Sequence, residues 1–118
     1  MDCVKEFLLL LEAEKLKAAA DSESLSNDFR SDEANISKIH ANIYSIIISV
    51  TNAALSNCSN NPAEFIRNKI MSFTSIWEES LLEAERHSDY SKVAIECEKL
   101  KVLKDISRKL ASVSEGVL

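Results

Sequence analysis

The sequence predicts an all-α fold, an up-and-down bundle of four helices, from three observations. The 118-residue chain contains one glycine and one proline, so few of its positions favour a tight turn. Apolar residues recur at helical spacings of three and four over most of its length. Helix-capping residues stand where the apolar pattern restarts. We expect a single domain over residues 1–118, because a chain of this length buries a sizeable core without disulfides or metal.

The first helix is predicted from Asp2 to Ala20. The following stretch, residues 21–31, is rich in Ser, Asn and Asp, which favour caps and turns over helix interiors. We favour a turn within residues 21–26. The alternative is a fold of three long helices in which residues 21–31 form only a kink.

The second helix is predicted from a heptad-like apolar pattern interrupted only by Asp32. One set of positions repeats every seven residues, and a companion set is interleaved with it. The first set is Phe29, Ile36, Ile43 and Val50, and the second is Leu25, Ile39 and Ile46.

The third helix has the clearest start. Asn61 is suited to cap its free amides, Pro62 to occupy the first helical position, and Glu64 to complete a capping box three residues after the cap. One apolar face follows and predicts a helix to about His87. Its members are Ile66, Ile70, Phe73, Trp77, Leu81 and Ala84, and we interpret Phe73 and Trp77 as core packing.

The fourth helix is predicted to start after Asp89, a good N-cap residue. Its apolar face is Val93, Cys97, Leu100, Leu103, Ile106, Leu110 and Val113. The short connection predicts that the third and fourth helices form an antiparallel hairpin.

Two segments carry more apolar surface than one core face requires. The second helix has an additional stripe, and residues 7–11 are apolar all round the first helix. Either these helices are covered on two sides within the bundle, or the extra surface binds a second copy or a partner helix. The interface candidates are Phe7, Leu8, Leu11, Tyr44, Ile48 and Leu55.

No set of residues predicts a catalytic site. Phosphate-binding loops and nucleophile elbows need glycines that this chain lacks. Glu79, Glu83 and His87 share one face at successive helical turns and are the only metal-site candidates, although such triplets are typical of a solvated face. His40 lies off the main apolar stripe, as a surface or hydrogen-bonded boundary residue does.

The cysteines and the first residues bear on location. Cys3, Cys58 and Cys97 form no CxxC pair and are odd in number, which favours free thiols in a reducing compartment. The apolar run near the start is short and flanked by acidic residues, unlike a signal peptide. We expect a cytoplasmic protein that does not enter a membrane.

The charge is unevenly distributed along the chain. Residues 92–109 carry six basic and three acidic residues in a chain of net charge −5. Lys101, Lys104 and Arg108 share a stripe of the last helix. The acidic balance and the lack of stacking aromatics nearby argue against a nucleic-acid surface. We expect the stripe to complement acidic residues between positions 21 and 33.

Two stretches, residues 32–47 and 87–100, resemble segments of a group of small uncharacterised bacterial helical proteins. The resemblance implies a bacterial cytoplasmic helical protein and carries no activity. Altogether the sequence predicts a non-enzymatic interaction module without a cofactor, either a homodimer or the partner of another helical protein. The alternatives are a metal-binding carboxylate bundle and, more weakly, a nucleic-acid-associated regulator.

Overall fold

The computed structural model contains four helices in its described residues, α1 Cys3–Asn27, α2 Ser31–Asn57, α3 Pro62–Arg86 and α4 Tyr90–Glu115. It describes the backbone of residues 3–27, 31–57 and 61–115, and the side chains of residues 4–24, 35–57 and 61–113. The longest dimension, 43 Å, is close to the length of one such helix, about 38–40 Å. Each helix therefore runs the length of the molecule once, as the predicted four-helix bundle requires.

The four helices form a flattened bundle. α1 packs most extensively against α2, and α3 against α4. The two central helices, α2 and α4, each also pack against all three others, whereas α1 and α3 scarcely touch each other. α1 and α3 are therefore peripheral helices on opposite sides of the α2–α4 pair.

One apolar core lies between the four helices. Its buried members are Val4, Phe7, Leu11, Ile43, Tyr44, Ile47, Ala54, Ile66, Ile70, Val102, Leu103, Ile106 and Leu110. Partly buried side chains, including Phe73 and Trp77, pack against this cluster. The predicted role of these two aromatic residues in packing is confirmed.

The turn predicted within residues 21–26 is wrong, because α1 continues to Asn27. Ser22 lies one helical turn beyond Ala18 and is buried with it, so the core-facing side of α1 extends past the polar stretch. α2 begins at Ser31, and residues 28–30 lie outside the described residues. The alternative of a single kinked helix is wrong, because α1 and α2 are separate helices packed side by side.

The buried face of α2 differs from the predicted heptad pattern. Ile43 is buried and Ile39 and Val50 are partly buried, but Ile36 and Ile46 are 43% and 38% exposed. The buried positions are instead Ile43, Tyr44, Ile47, Thr51 and Ala54. The face is shifted because α2 is covered by three helices, not one. Leu25 and Phe29 lie outside the described side chains.

The start of α3 confirms its predicted capping. The Glu64 amide donates to the Asn61 side-chain oxygen over 3.2 Å, and the Asn61 amide nitrogen donates to the Glu64 carboxylate over 3.0 Å. Pro62 occupies the first turn. The first bond caps the helix as predicted, whereas the second joins the two side chains and does not reach the Asn61 backbone amide that a capping box would satisfy.

The connection between α3 and α4 shows how the chain turns without glycine. Ser88 adopts φ 54°, the left-handed conformation that usually falls to glycine. The Asp89 amide donates to the Ala84 carbonyl and the Ser88 amide to the Glu85 carbonyl, as in a Schellman motif. Asp89 also accepts from the Lys92 amide over 3.2 Å and so caps α4, as predicted.

The predicted buried face of α4 is wrong at Cys97, which is exposed. The neighbouring Glu96 is buried in its place, at 5% exposure. A buried carboxylate is unexpected from sequence, and it is possible here because Lys99 lies 3.2 Å from Glu96 Oε1. Leu103, Ile106 and Leu110 are buried as predicted.

Candidate functional site

Half of the predicted interface residues lie inside the bundle. Phe7 and Leu11 are 0% exposed and Tyr44 is 5% exposed. Leu8, Ile48 and Leu55 are half-buried, and the latter two pack against the core. Phe7, Leu11 and Tyr44 therefore cannot form a contact surface on the folded chain. The second apolar stripe of α2 is covered by neighbouring helices.

α1 also exposes a regular row of apolar residues on the side away from the core. Leu9 and Leu16 are 54% and 71% exposed, and Ala13 and Ala20 are also exposed. These four residues, which we call the α1 outer stripe, follow one another at spacings of four, three and four. That spacing places them along one line of a helix, as in a coiled-coil seam. The same spacing in the sequence could have identified this stripe.

Opposite charges flank the α1 outer stripe. Glu12 and Lys17 are both exposed, and at 100° per residue they lie about 70° to either side of the stripe. α1 is peripheral, so the stripe is not covered by α3. The face therefore combines exposed leucines, small alanines and one charge of each sign.

The metal-site candidates do not come together as a ligand set. His87 Nε2 lies 2.8 Å from Glu83 Oε1, and Arg86 donates to the other Glu83 oxygen over 3.3 Å. The hydrogen bond from His87 lowers the pKa of the Glu83 carboxyl, with the charges of His87 and Arg86 adding to the effect. Among the described side chains no group of three His, Cys, Asp or Glu residues could hold a metal ion.

A polar cleft lies between α1 and α2. Its volume is about 200 Å³. The lining residues are Glu14, Lys17, Ala18, Asp21, Ser37, His40 and Tyr44, and we call this site the α1–α2 cleft. Burial, together with the charges of the nearby Glu14 and Asp105 carboxylates, raises the pKa of the Tyr44 hydroxyl to about 12. Tyr44 therefore keeps its proton in the folded protein at ordinary pH.

His40 joins this cleft to α4. Its Nε2 lies 2.6 Å from Glu98 Oε1, and both side chains are partly buried, at 33% and 23% exposure. His40 is thus the hydrogen-bonded boundary residue that its place off the apolar stripe predicted. Sequence reasoning could not identify Glu98 as its partner, because 58 residues separate the two.

An open apolar groove runs between α3 and α4. It has a volume of about 570 Å³, and Ile70, Leu100 and Leu103 are among its lining residues. Met71, 64% exposed, lies at its edge. On the same stretch of α3, Phe73 stacks on Trp77 with ring centroids 5.6 Å apart.

Lys99 connects the Trp77 ring to the buried Glu96. Its ammonium lies 4.8 Å from the Trp77 ring centroid and 3.2 Å from Glu96 Oε1. Glu96 Oε2 is buried and has no hydrogen-bond partner among the described residues. Lys99 is thus the one described cation paired with this carboxylate, which makes the cluster a structural link between α3 and α4.

The predicted basic stripe lies on the surface of α4. Lys101, Lys104 and Arg108 are exposed, and Lys104 lines the same groove as Glu78. The acidic region expected to complement it, residues 21–33, falls largely outside the described side chains. The complementarity therefore stays a prediction.

Comparison with protein-family models, curated proteins and solved structures finds no match for this chain. None of the helices, in the part of the chain described, is both long enough and apolar enough to cross a membrane. The candidate sites therefore rest on their geometry. These sites are the α1 outer stripe, the α1–α2 cleft and the α3–α4 groove.

Proposed function

We propose that this chain is a non-enzymatic interaction protein that forms a homodimer through the α1 outer stripe. The observation that carries the proposal is the exposure of Leu9 and Leu16, at 54% and 71%, on one line of a peripheral helix. Scattered exposed leucines are common on soluble proteins. Two leucines seven residues apart, with exposed alanines at the intervening coiled-coil positions, form a continuous seam.

The charges beside the seam favour a second copy of the same chain as the occupant. In heptad terms Leu9 and Leu16 take position d, and Glu12 and Lys17 take positions g and e. When two such helices pair in parallel, position g of one faces the following position e of the other. Glu12 of each copy then meets Lys17 of the other, so one two-fold axis satisfies both pairs.

The seam is short, which sets the expected affinity. From Leu9 to Ala20 it spans about 18 Å of helix, with two leucines from each copy. Burying their exposed parts contributes a few kcal/mol, which association entropy offsets in large part. We expect a dissociation constant on the order of 100 µM, a dimer formed only at high concentration.

Sedimentation equilibrium from about 5 µM to 1 mM, a range bracketing that constant, tests the proposal. The variant Leu16→Glu places a charge in the seam, and we expect it to stay monomeric throughout. Met71→Glu is the matched control, since Met71 is also an exposed apolar residue, 64% exposed, on the opposite peripheral helix. We expect that variant to dimerise like the wild type.

Charge reversal tests the parallel arrangement. Glu12→Lys alone places a lysine opposite Lys17 of the other copy and should weaken the dimer. The double variant Glu12→Lys with Lys17→Glu restores opposite charges and should recover the dimer. A wild-type chain that is monomeric at 1 mM would overturn the dimer proposal. Equal loss of dimer in Leu16→Glu and Met71→Glu would mean that the contact is not specific to α1.

A cytoplasmic location is part of the same proposal. Cys97 carries a free thiol on the surface of α4. An exposed free thiol suits a reducing compartment, where it is not drawn into disulfides.

A further inference from the structure

The α1–α2 cleft is surrounded by more negative than positive charge. Glu14 and Asp21 line it from α1, Glu98 bonds to the His40 that lines it from α2, and Asp105 lies close enough to influence Tyr44. Lys17 is the one cation in the lining. The cleft therefore repels anions and attracts small cations.

Tyr44 gives the cleft an unused hydrogen-bonding group. The residue is only 5% exposed, and within the described residues no protein group hydrogen-bonds its hydroxyl. A hydroxyl that lines a cleft and has no protein partner is normally satisfied by water or a ligand. Because Tyr44 lines the cleft together with Glu14, a molecule in the cleft can reach the hydroxyl and the carboxylate.

We propose that the α1–α2 cleft binds a small organic ammonium ion, with Glu14 and Asp21 as charge partners and the Tyr44 hydroxyl as a hydrogen-bond acceptor. A primary ammonium has three donors, which suit two carboxylates and a phenol oxygen. The face of a tyrosine ring also attracts cations. This inference shares Lys17 with the proposed dimer, but Glu14, Asp21 and Tyr44 lie outside the α1 outer stripe and its flanking pair.

The volume limits the size of the ligand. About 200 Å³ corresponds to roughly six or seven water molecules, so an amine of about six non-hydrogen atoms fits. A metal ion is a poorer occupant, because the described side chains offer no group of three metal-ligating residues. Lys17 would also oppose a divalent ion more strongly than a single ammonium charge.

The test titrates n-butylammonium into the protein and follows the amide chemical shifts by two-dimensional NMR. The protein concentration is kept below that at which the dimer forms. We expect saturable shifts confined to residues 14–21 and 37–44. Butyrate has the same chain with the opposite charge and should cause none. Tetramethylammonium, a cation without donors, should bind at least about fivefold more weakly than n-butylammonium.

Three variants identify the groups that bind. Glu14→Gln should weaken binding about tenfold, and Tyr44→Phe about threefold, because each removes one partner of the ammonium. Lys17→Met should strengthen binding, a direction that a folding defect would not produce. Glu85→Gln removes an equal charge from exposed α3 and should leave the affinity unchanged.

Several results would overturn the assignment. Shifts that grow without saturation, or equal losses in Glu14→Gln and Glu85→Gln, would mean only diffuse attraction to an acidic protein. Binding of butyrate as tight as that of n-butylammonium would contradict the charge argument. Weaker binding in Lys17→Met would mean that Lys17 contacts the probe and that the ligand is not a simple cation. None of these results bears on the sedimentation of the wild-type chain.

Discussion

The two hairpins of this bundle are held together in different ways. In the α1–α2 hairpin the central helix α2 is covered by three others, and Ile47, Thr51 and Ala54 are all 0% exposed. In the α3–α4 hairpin the packing leaves an open groove of about 570 Å³, and the Lys99 ammonium of α4 lies 4.8 Å from the ring centroid of Trp77 on α3. Both hairpins bury apolar side chains of a central helix, Ile47 in α2 and Ile106 in α4, but the second leaves part of the apolar surface between its helices open in the groove.

The largest expected difference is the cost of truncating one apolar residue in each hairpin. Ile47→Ala removes a fully buried side chain between helices and should lower the free energy of unfolding by about 3–4 kcal/mol. Phe73→Ala removes a half-buried ring from α3 and should cost about 2 kcal/mol despite its larger size. Urea denaturation of both variants measures the two costs. Equal costs, or a larger cost for Phe73→Ala, would remove the distinction between the hairpins.

The second expected effect is alkaline destabilisation through Tyr44. Burial, with the nearby charges of Glu14 and Asp105, raises the pKa of Tyr44 from 10.0 to about 12 in the folded chain. The folded state therefore holds a proton that the unfolded state releases, so this contribution is complete below pH 10 and is lost as pH rises toward 12. A shift of this size corresponds to roughly 2–3 kcal/mol. Unfolding free energies at pH 9 and pH 12 should fall more steeply for the wild type than for Tyr44→Phe.

The Tyr90→Phe variant allows the pKa of Tyr44 to be measured directly. Tyr44 is then the only tyrosine in the chain, so the absorbance of tyrosinate reports its ionisation alone. We expect a midpoint near pH 12. A midpoint near 10 would contradict the burial of the hydroxyl and would also weaken the proposed ammonium site.

The sequence predicted the features that depend on neighbouring residues. The caps at Asn61 and Asp89 could be predicted because each capping hydrogen bond spans only three residues. The end of α1 could not be predicted in this way, because the helix continues through a polar stretch whose Ser22 is buried against the bundle. Local capping preferences were overridden there by packing.

The candidate sites also depend on packing between helices that local sequence patterns do not predict. The α1 outer stripe was present in the sequence as a spacing of four, three and four, but which side of α1 faces the core depends on α2 and α4. His40, which lines the cleft, bonds to Glu98, 58 residues away, and a single sequence holds no signal for that contact. Fold class therefore followed from periodicity, whereas the location of exposed apolar surface required the packing.

The third expected effect tests the ion pair of the second hairpin. Lys99→Met removes the cation beside Glu96 and from above the Trp77 ring, and should cost about 1.5–2 kcal/mol. Adding Glu96→Leu removes the unpaired carboxylate and should recover most of that loss. Arg86→Met is the control, because the Arg86–Glu83 pair is largely exposed and should change stability little. Failure of the double variant to recover would mean that Lys99 acts by packing alone.

The smallest expected effect is a gain in stability at the turn of the second hairpin. Ser88 holds φ 54°, which disfavours residues with a β-carbon. Ser88→Gly should therefore stabilise the folded chain by about 0.5–1 kcal/mol, after allowance for the greater freedom of glycine in the unfolded state. Ser88→Ala keeps the β-carbon and serves as the control, with no gain expected. If thermal unfolding shows both variants equally stable, the left-handed conformation of Ser88 costs nothing, and the chain's scarcity of glycine carries no penalty at this turn.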